Sequence, residues 1–335
     1  MHTSHNMPEQ LYYLTAFPPG QAWEYSLREL GTWPGWKGIE QTFAGNALTD
    51  LPLAGKVPVA PIPPGCPPAG FICAEVTSTF DLAWELLQHG LLPCWGFVLA
   101  ATQNSGRGQL RRPWQSAPGN IYATFRLPEA LNTEAGALLT GYLLHRALGA
   151  LGVAVDIKWP NDLVQNKHKV GGILLEERGG AVLAGVGLNI AHAPDMADLT
   201  GLAGLTNLTG QAIEDNTPRP FPAAVLRAEN DSFPPAPPAV LNAWLELVKQ
   251  VTLSYEQDLS RLPPERRPAL LESCLAFKGL KATVFEPGFA DSGSFSEKRS
   301  ISGVINGLGP KGELRLLLPS GRERLLHSGT LTLQE

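Results

Sequence analysis

"KWPNDLVQNKHKVGGILLEE", residues 158–177, sets one lysine at the end of an apolar run and a second at the head of another, with a proline break between them. Lys158 closes the strand read over "VDIKW", and "KVGGILLEE" reads as a strand in which Lys169 stands beside Gly171 and Gly172. Pro160 interrupts the ladder, so Asn161 and Asp162 are expected to face a pocket rather than continue a strand. Glycines beside a lysine let backbone N–H groups approach a ligand closely. The stretch therefore predicts two sheet strands whose ends carry cations, a carboxylate and exposed amides. Lysines also guard strand edges, glycines mark bulges, Asp forms turns and Trp159 suits a core, so each residue alone has an ordinary structural job.

Working outward, the same grammar holds. "AVLAGVGLNI" is a further strand, whose "GVGLN" repeats the glycine pattern and ends in Asn189. Upstream lies an amphipathic helix over about 134–150, with Leu138, Leu139, Tyr142, Leu143, Ala147 and Leu148 on its apolar face. Before it, "NIYATFRLP" alternates Ile121, Ala123, Phe125 and Leu127 with more polar positions, and "GFVLAATQ" is a buried strand. "FICAEV" is a strand and "STFDLAWELLQHG" a helix capped by Ser78 or Thr79 and ended by Gly90. Downstream come helices around 239–260 and 264–276, then short strands with Gly-containing turns. The prediction is an α+β fold: a mixed sheet with flanking helices, followed by a small C-terminal β-barrel of the SH3-like kind. Three regions are expected: 1–70, an N-terminal extension with the proline-rich linker "VPVAPIPPGCPPAG"; 71–276, the catalytic part; and 277–335, the barrel.

Composition narrows the function. A net charge of −5 is wrong for a general nucleic-acid coat, and the amino terminus shows neither a basic stripe nor paired helices of the helix-turn-helix kind, so no DNA partner is expected. Cys66, Cys73, Cys94 and Cys274 have neither CxxC pairing nor histidines at zinc spacing, which points to a reducing, cytoplasmic setting. "MHTSHNMPEQLYYL" has no basic n-region or apolar h-region, and the most apolar stretch, 137–157, is broken by His145, Arg146 and Asp156, so no membrane partner is expected. A local cationic pocket is still compatible with the acidic balance. "SGRGQLRRPW", residues 105–114, supplies it with Arg107, Arg111 and Arg112, whose forked donors suit phosphate or carboxylate. Arg107, Arg112, Lys158 and Lys169 as cations, with Asp162 as a Mg²⁺ contact, make a nucleotide-handling set that has no P-loop and no GxGxxG fingerprint.

"TST", "QNSGRG", "KWPNDL", "KVGGILLEE" and "GVGLNI", in that order over about 72–190, resemble the biotin protein ligases of the biotin/lipoyl ligase superfamily. The resemblance implies a class II synthetase-like core, ATP and Mg²⁺ as cofactors, biotin as substrate, and a biotin carboxyl carrier domain as partner, with a homodimer left open. It implies formation of biotinoyl-AMP and transfer of biotin to a carrier lysine. By the same resemblance, Lys169 and Arg107 are catalytic. Ser78, Thr79, Gln103, Gly106, Arg107, Gly172 and Gly187 border biotin, while Arg107, Arg112, Trp114, Lys158, Asn161, Asp162, Lys169 and Asn189 meet the nucleotide. Two departures stand out. The family loop reads Gly-Arg-Gly-Arg-x-Gly-Arg, whereas Gln109 takes the second arginine and Arg111 the last glycine; and Phe80 takes the place of an Asn after Ser-Thr. A lipoate or octanoate ligase relative and a non-catalytic biotin- or nucleotide-binding paralogue stay open as alternatives.

Overall fold

A computed structural model of the chain describes residues 10–14, 49–50, 69–109, 112–195, 221–228, 240–286 and 300–334. Trp23, Trp33, Trp36, the linker over 57–68, Arg111 and the proline-rich stretches 217–220 and 229–239 lie outside the described residues.

Strands β1 (Gln10–Leu14), β2 (Thr49–Asp50), β3 (Ala69–Val76), β4 (Phe97–Gln103), β5 (Ile121–Arg126), β6 (Asp156–Lys158), β7 (Asp162–Gln165), β8 (His168–Arg178) and β9 (Ala181–Leu188) join in one mixed sheet. Its order is β2-β1-β3-β4-β5-β9-β8-β7-β6. The first four strands in that order run parallel to one another, and the remaining pairings, from β4–β5 onward, are antiparallel. Helix α1 (Thr79–Gln88) follows β3, with Ser78 as its N-cap accepting from the Phe80 N–H at 3.4 Å. Gly90, at φ +71°, takes the left-handed turn that lets the chain leave the helix. Helix α2 (Gly136–Ala150) crosses between β5 and β6, and α3 (Val240–Ser254) packs beside it.

The sheet is covered on both faces. Phe97, Leu99 and Ala101 of β4 enter the large core shared with α2 and α3, while Val98 between them joins Phe80, Trp84 and Leu86 of α1 on the other side. That sandwiching corrects the expected alternation in β5, whose first five residues are all buried, Tyr122 and Thr124 included. It also corrects the strand count, because "DLVQ" forms β7 in a tight hairpin with β6 and pairs Lys158 with Asp162. Asp162 continues a ladder after Pro160 instead of leaving it.

Helix α4 (Arg267–Glu272) leads to a second sheet of β10 (Lys281–Phe285), β11 (Ser300–Leu308), β12 (Leu314–Leu317), β13 (Glu323–Leu326) and β14 (Thr330–Leu333). Its order is β13-β12-β11-β10-β14, all antiparallel, with β13 and β14 as edges among the described residues, so the expected barrel is an open sheet there. Leu308, Leu314 and Leu316 share one hydrophobic cluster with α2, and the Trp159 Nε1–H donates to the Gly312 carbonyl at 3.0 Å. The turn between β11 and β12 is thereby fastened to the residue that follows Lys158. Among the described residues, no helix is long and apolar enough to cross a membrane.

Candidate functional site

Two strand-end lysines meet over one carboxylate. The β6–β7 hairpin brings Lys158 Nζ to 2.9 Å from Asp162 Oδ2, and β8, paired on the far side of β7, brings Lys169 Nζ to 2.5 Å from Asp162 Oδ1. The lysines differ in setting: the Lys158 side chain is 5% exposed and that of Lys169 27%. Lys158 also lies over the Phe221 ring at 5.0 Å. Burial disfavours the Asp162 carboxylate, but the two ammonium groups outweigh it and hold the group well below the ordinary carboxylate range. One carboxylate against two ammoniums leaves the trio with a single net positive charge, and the exposed half of it is Lys169. The arrangement can hold an anion beside the Lys169 ammonium.

Asp162 does not fit as a magnesium ligand. Both of its oxygens hold lysines, and among the described residues no three His, Cys, Asp or Glu side chains gather as a metal site. Asn161 is likewise spent inside the fold: its Nδ2 donates to the Ile173 carbonyl at 2.6 Å, and its carbonyl accepts from the Ile173 N–H. Asn189, 4% exposed, donates to the Ala224 carbonyl. The sequence placed both at a nucleotide; in the structure Asn161 bonds to the middle of β8 and Asn189 bonds beside the end of β9.

Next to Lys169 is a floor of glycines. A Cβ on Gly187 would sit 2.5 Å from Trp114 Cζ2, and one on Gly172 would sit 3.1 Å from Trp114 Cζ3, so the indole rests directly on both. Lys169 Nζ stands 5.2 Å from the same ring. The buried Trp114 Nε1–H has no hydrogen-bond partner among the described residues. Trp114 reaches the floor because the Trp114 N–H donates to the Gly106 carbonyl at 2.9 Å and the Gly108 N–H donates to that of Arg112 at 2.8 Å. Gly106 is required here, since a Cβ would come 2.6 Å from the Trp114 carbonyl oxygen. We expect Gly187→Val to lower stability by about 1–3 kcal/mol through overpacking. Adding Trp114→Ala should recover most of that loss in urea denaturation; no recovery would mean the indole does not rest on this floor.

The far wall is polar. Gln103 Oε1 accepts from the Thr79 N–H at 2.9 Å and from Thr79 Oγ1 at 3.1 Å, Thr79 Oγ1 meets Thr124 Oγ1 at 2.8 Å, and Gln103 Nε2 donates to Ser116 Oγ. Ser78, Thr79, Gln103 and Gly106 are thus brought together as expected, with Ser78 also acting as a helix cap. Arg107 points elsewhere, to Asp81 at 2.8 Å and Glu176 at 3.3 Å, with the Phe80 ring beneath it. Arg112 is exposed.

Sequence reasoning missed several contributors. Thr124 and Ser116 complete the polar wall. Asn120 Oδ1 accepts from the Ile190, Ala191 and His192 N–H groups and fixes the turn after Asn189. Residues 221–228, to which sequence reasoning gave no role, lie along β8: the Lys169 N–H donates to the Pro222 carbonyl at 2.7 Å and the Ala224 N–H to that of Lys169 at 2.9 Å. Glu176 was inside the quoted motif but carried no assigned role.

Residues 71–191 match the model of the biotin/lipoate A/B protein ligase family. The biotin–acetyl-CoA-carboxylase ligase of Paracoccus denitrificans is 37% identical over 174 residues, covering 44% of this chain and 69% of that one. The bifunctional ligase/repressor BirA of Escherichia coli is 35% identical over 103 residues, 28% of this chain and 32% of that protein. In overall fold the chain resembles a biotin protein ligase from Aquifex aeolicus solved with biotin and ATP, with a TM-score of 0.53 at 20% identity over 79% of this chain and 98% of that one.

Proposed function

The chain belongs to the biotin/lipoate A/B protein ligase family, and from that premise we propose that it works as an ATP-dependent biotin protein ligase on a biotin carboxyl carrier domain. In the first step a biotin carboxylate oxygen attacks the α-phosphorus of ATP, the bond to the β-phosphate oxygen breaks, and pyrophosphate leaves. In the second, a neutral carrier lysine amine attacks the acyl carbon, AMP leaves and the amine loses a proton.

The observation that carries this reading is the Lys169 ammonium, held at 2.5 Å by Asp162 and facing the glycine floor. Joining a carboxylate to a polyphosphate brings anions together, and a fixed cation offsets their repulsion most where charge builds in the transition state. Lys158 holds Asp162 from the buried side, so the positive excess of the trio lies toward its more exposed member, Lys169. Ser78, Thr79 and Gln103 supply hydrogen-bonding groups suited to a polar ring such as a ureido group. Gly172 and Gly187 supply the flat floor, on which Trp114 is the loop's contribution. ATP carries Mg²⁺ on its own phosphates, and no step here is assigned to a protein-bound metal. The expected regions 71–276 and 277–335 work as one body in this reading, because the Trp159–Gly312 bond ties the second sheet to the lysine strand.

The test is ATP-dependent biotin transfer to a purified carrier domain, read on a streptavidin blot, with lipoate as the competing acid. Labelling without ATP, or preference for lipoate, would contradict the reading. Gln109 adds a prediction. A charge-assisted hydrogen bond contributes about 1.5–3 kcal/mol against about 1 for a neutral one, so glutamine in place of the family arginine loosens the adenylate about tenfold. The natural chain should therefore label bystander lysines, and Gln109→Arg should suppress that labelling while keeping carrier labelling. Equal bystander labelling by both would mean position 109 does not hold the intermediate.

A further inference from the structure

We propose that Arg107 is the pin of the glycine-rich loop rather than a ligand of the acyl-adenylate, and that Phe80, Asp81 and Glu176 are positioning residues that form its socket. The inference rests on the ligase reading for its consequence but not for its geometry. Arg107 Nη1 pairs with Asp81 at 2.8 Å and Nη2 with Glu176 at 3.3 Å, while Cζ stands 5.5 Å from the centre of the Phe80 ring. Its Nε and Nη2 atoms are buried and, the ion pair to Glu176 apart, have no hydrogen-bond partner among the described residues. Two carboxylates and a ring already engage the guanidinium, whose side chain is 36% exposed, so an incoming anion would compete with fixed partners, which suits an anchor better than a phosphate ligand.

Every part of the socket is itself fixed. Phe80 is buried in the first turn of α1 and rests on Gly185 of β9, where a Cβ would run into its ring. The phenyl ring at the family's usual asparagine position therefore goes down onto the sheet, with its face supporting the guanidinium. Glu176 Oε2 accepts from Trp84 Nε1 at 2.8 Å and from Arg178 Nη2 at 3.3 Å, which leaves Oε1 for Arg107. Arg178 in turn lies over the Trp84 ring at 4.6 Å. The two arginines and two carboxylates sum to no net charge, so the cluster offers nothing to attract a substrate anion.

Pinning matters because of what the loop carries. One residue back, Gly106 accepts from the Trp114 N–H, and the Gly108 N–H closes the loop on Arg112. With Arg107 seated, Trp114 rests on the glycine floor beside Lys169. Losing the pin frees that cover, so it shortens retention of the intermediate and leaves the chemistry of forming it intact.

The experiment compares Arg107→Gln, Glu176→Gln, Asp81→Asn and the double variant Arg107→Gln/Glu176→Gln in the full-length protein. In the protein without ligands, hydrogen exchange at the Gly108 and Trp114 amides is expected to rise about tenfold in Arg107→Gln and Glu176→Gln, with the double variant no worse than either single. Dissociation of biotinoyl-AMP should quicken by a similar factor, while in Glu176→Gln and Asp81→Asn kcat for biotin-dependent pyrophosphate exchange stays within about twofold. Arg107→Lys should not rescue, because an ammonium cannot span two carboxylates and a ring as the planar fork does. Asp81→Asn, at an exposed side chain, gives the same direction without disturbing the core. Unchanged amide exchange in the single variants overturns the pin, whether or not the protein makes an adenylate. A hundredfold loss of kcat in Arg107→Gln with Glu176→Gln silent would instead place Arg107 on the phosphates. A natural chain that makes no adenylate counts against the ligase reading alone, and the amide exchange still decides the pin.

Discussion

Lys169→Ala is expected to lose about 10²- to 10³-fold in biotin-dependent pyrophosphate exchange while keeping the fold, the scale set by removing one preorganised charge-stabilising group from a site. The fold survives because β8 is held through its backbone: the Lys169 N–H and carbonyl bond to Pro222 and Ala224 whatever the side chain. The carboxylate it leaves behind still has Lys158 at 2.9 Å. Removal takes the partner from Asp162 Oδ1, but the carboxylate keeps its ion pair to Lys158 through Oδ2, so no charge is left without a counter-charge. Near-normal exchange by a folded Lys169→Ala protein would remove the cation on which the assigned chemistry depends.

Asp162→Ala carries the largest expected cost in stability. It strands the Lys158 ammonium, 5% exposed, without a counter-charge, and breaking a buried pair from one side costs about 3–5 kcal/mol. Lys158→Met in the same chain should recover most of that loss in urea denaturation, because the penalty belongs to the orphaned charge. The pH dependence has a definite sign. Asp162 ionises at lower pH when folded than its ordinary value of 3.8, so the unfolded chain takes up the proton first as the solution is acidified. The stability difference between the natural chain and Asp162→Ala should be full above the ordinary carboxylate range and shrink as pH falls below it. A difference that grows toward acid would contradict the ion trio.

Much of the fold was legible because local signals agreed. Ser78 caps α1 and Gly90 ends it where the sequence put them, β4 takes all of "GFVLAATQ" but its first glycine, and "KVGGILLEE" lies within β8. What escaped was whatever depended on a partner distant in the chain. β5 looked one-sided because Tyr122 and Thr124 are polar in type, yet helices on both faces bury them. β7 was hidden by Pro160, which reads as a break but here precedes a two-strand hairpin. Lys158, Lys169 and Asp162 were found as residues, while their arrangement as one trio needed the β6–β7–β8 register. Arg107 was read by type as an anion ligand; its pairing with Asp81 and Glu176, remote from it in sequence, needed the fold. Residues 221–228 gave no signal because they bond through the backbone, which is nearly independent of side-chain identity.

The most direct measurement of the central claim is isotope exchange of pyrophosphate into ATP by the full-length protein, with biotin, with lipoate and with neither acid. Exchange reports reversible formation of the acyl-adenylate alone, without a carrier protein. Exchange should depend on biotin, be absent with lipoate, and be lost in Lys169→Ala. A folded natural chain that shows no biotin-dependent exchange would contradict the claim.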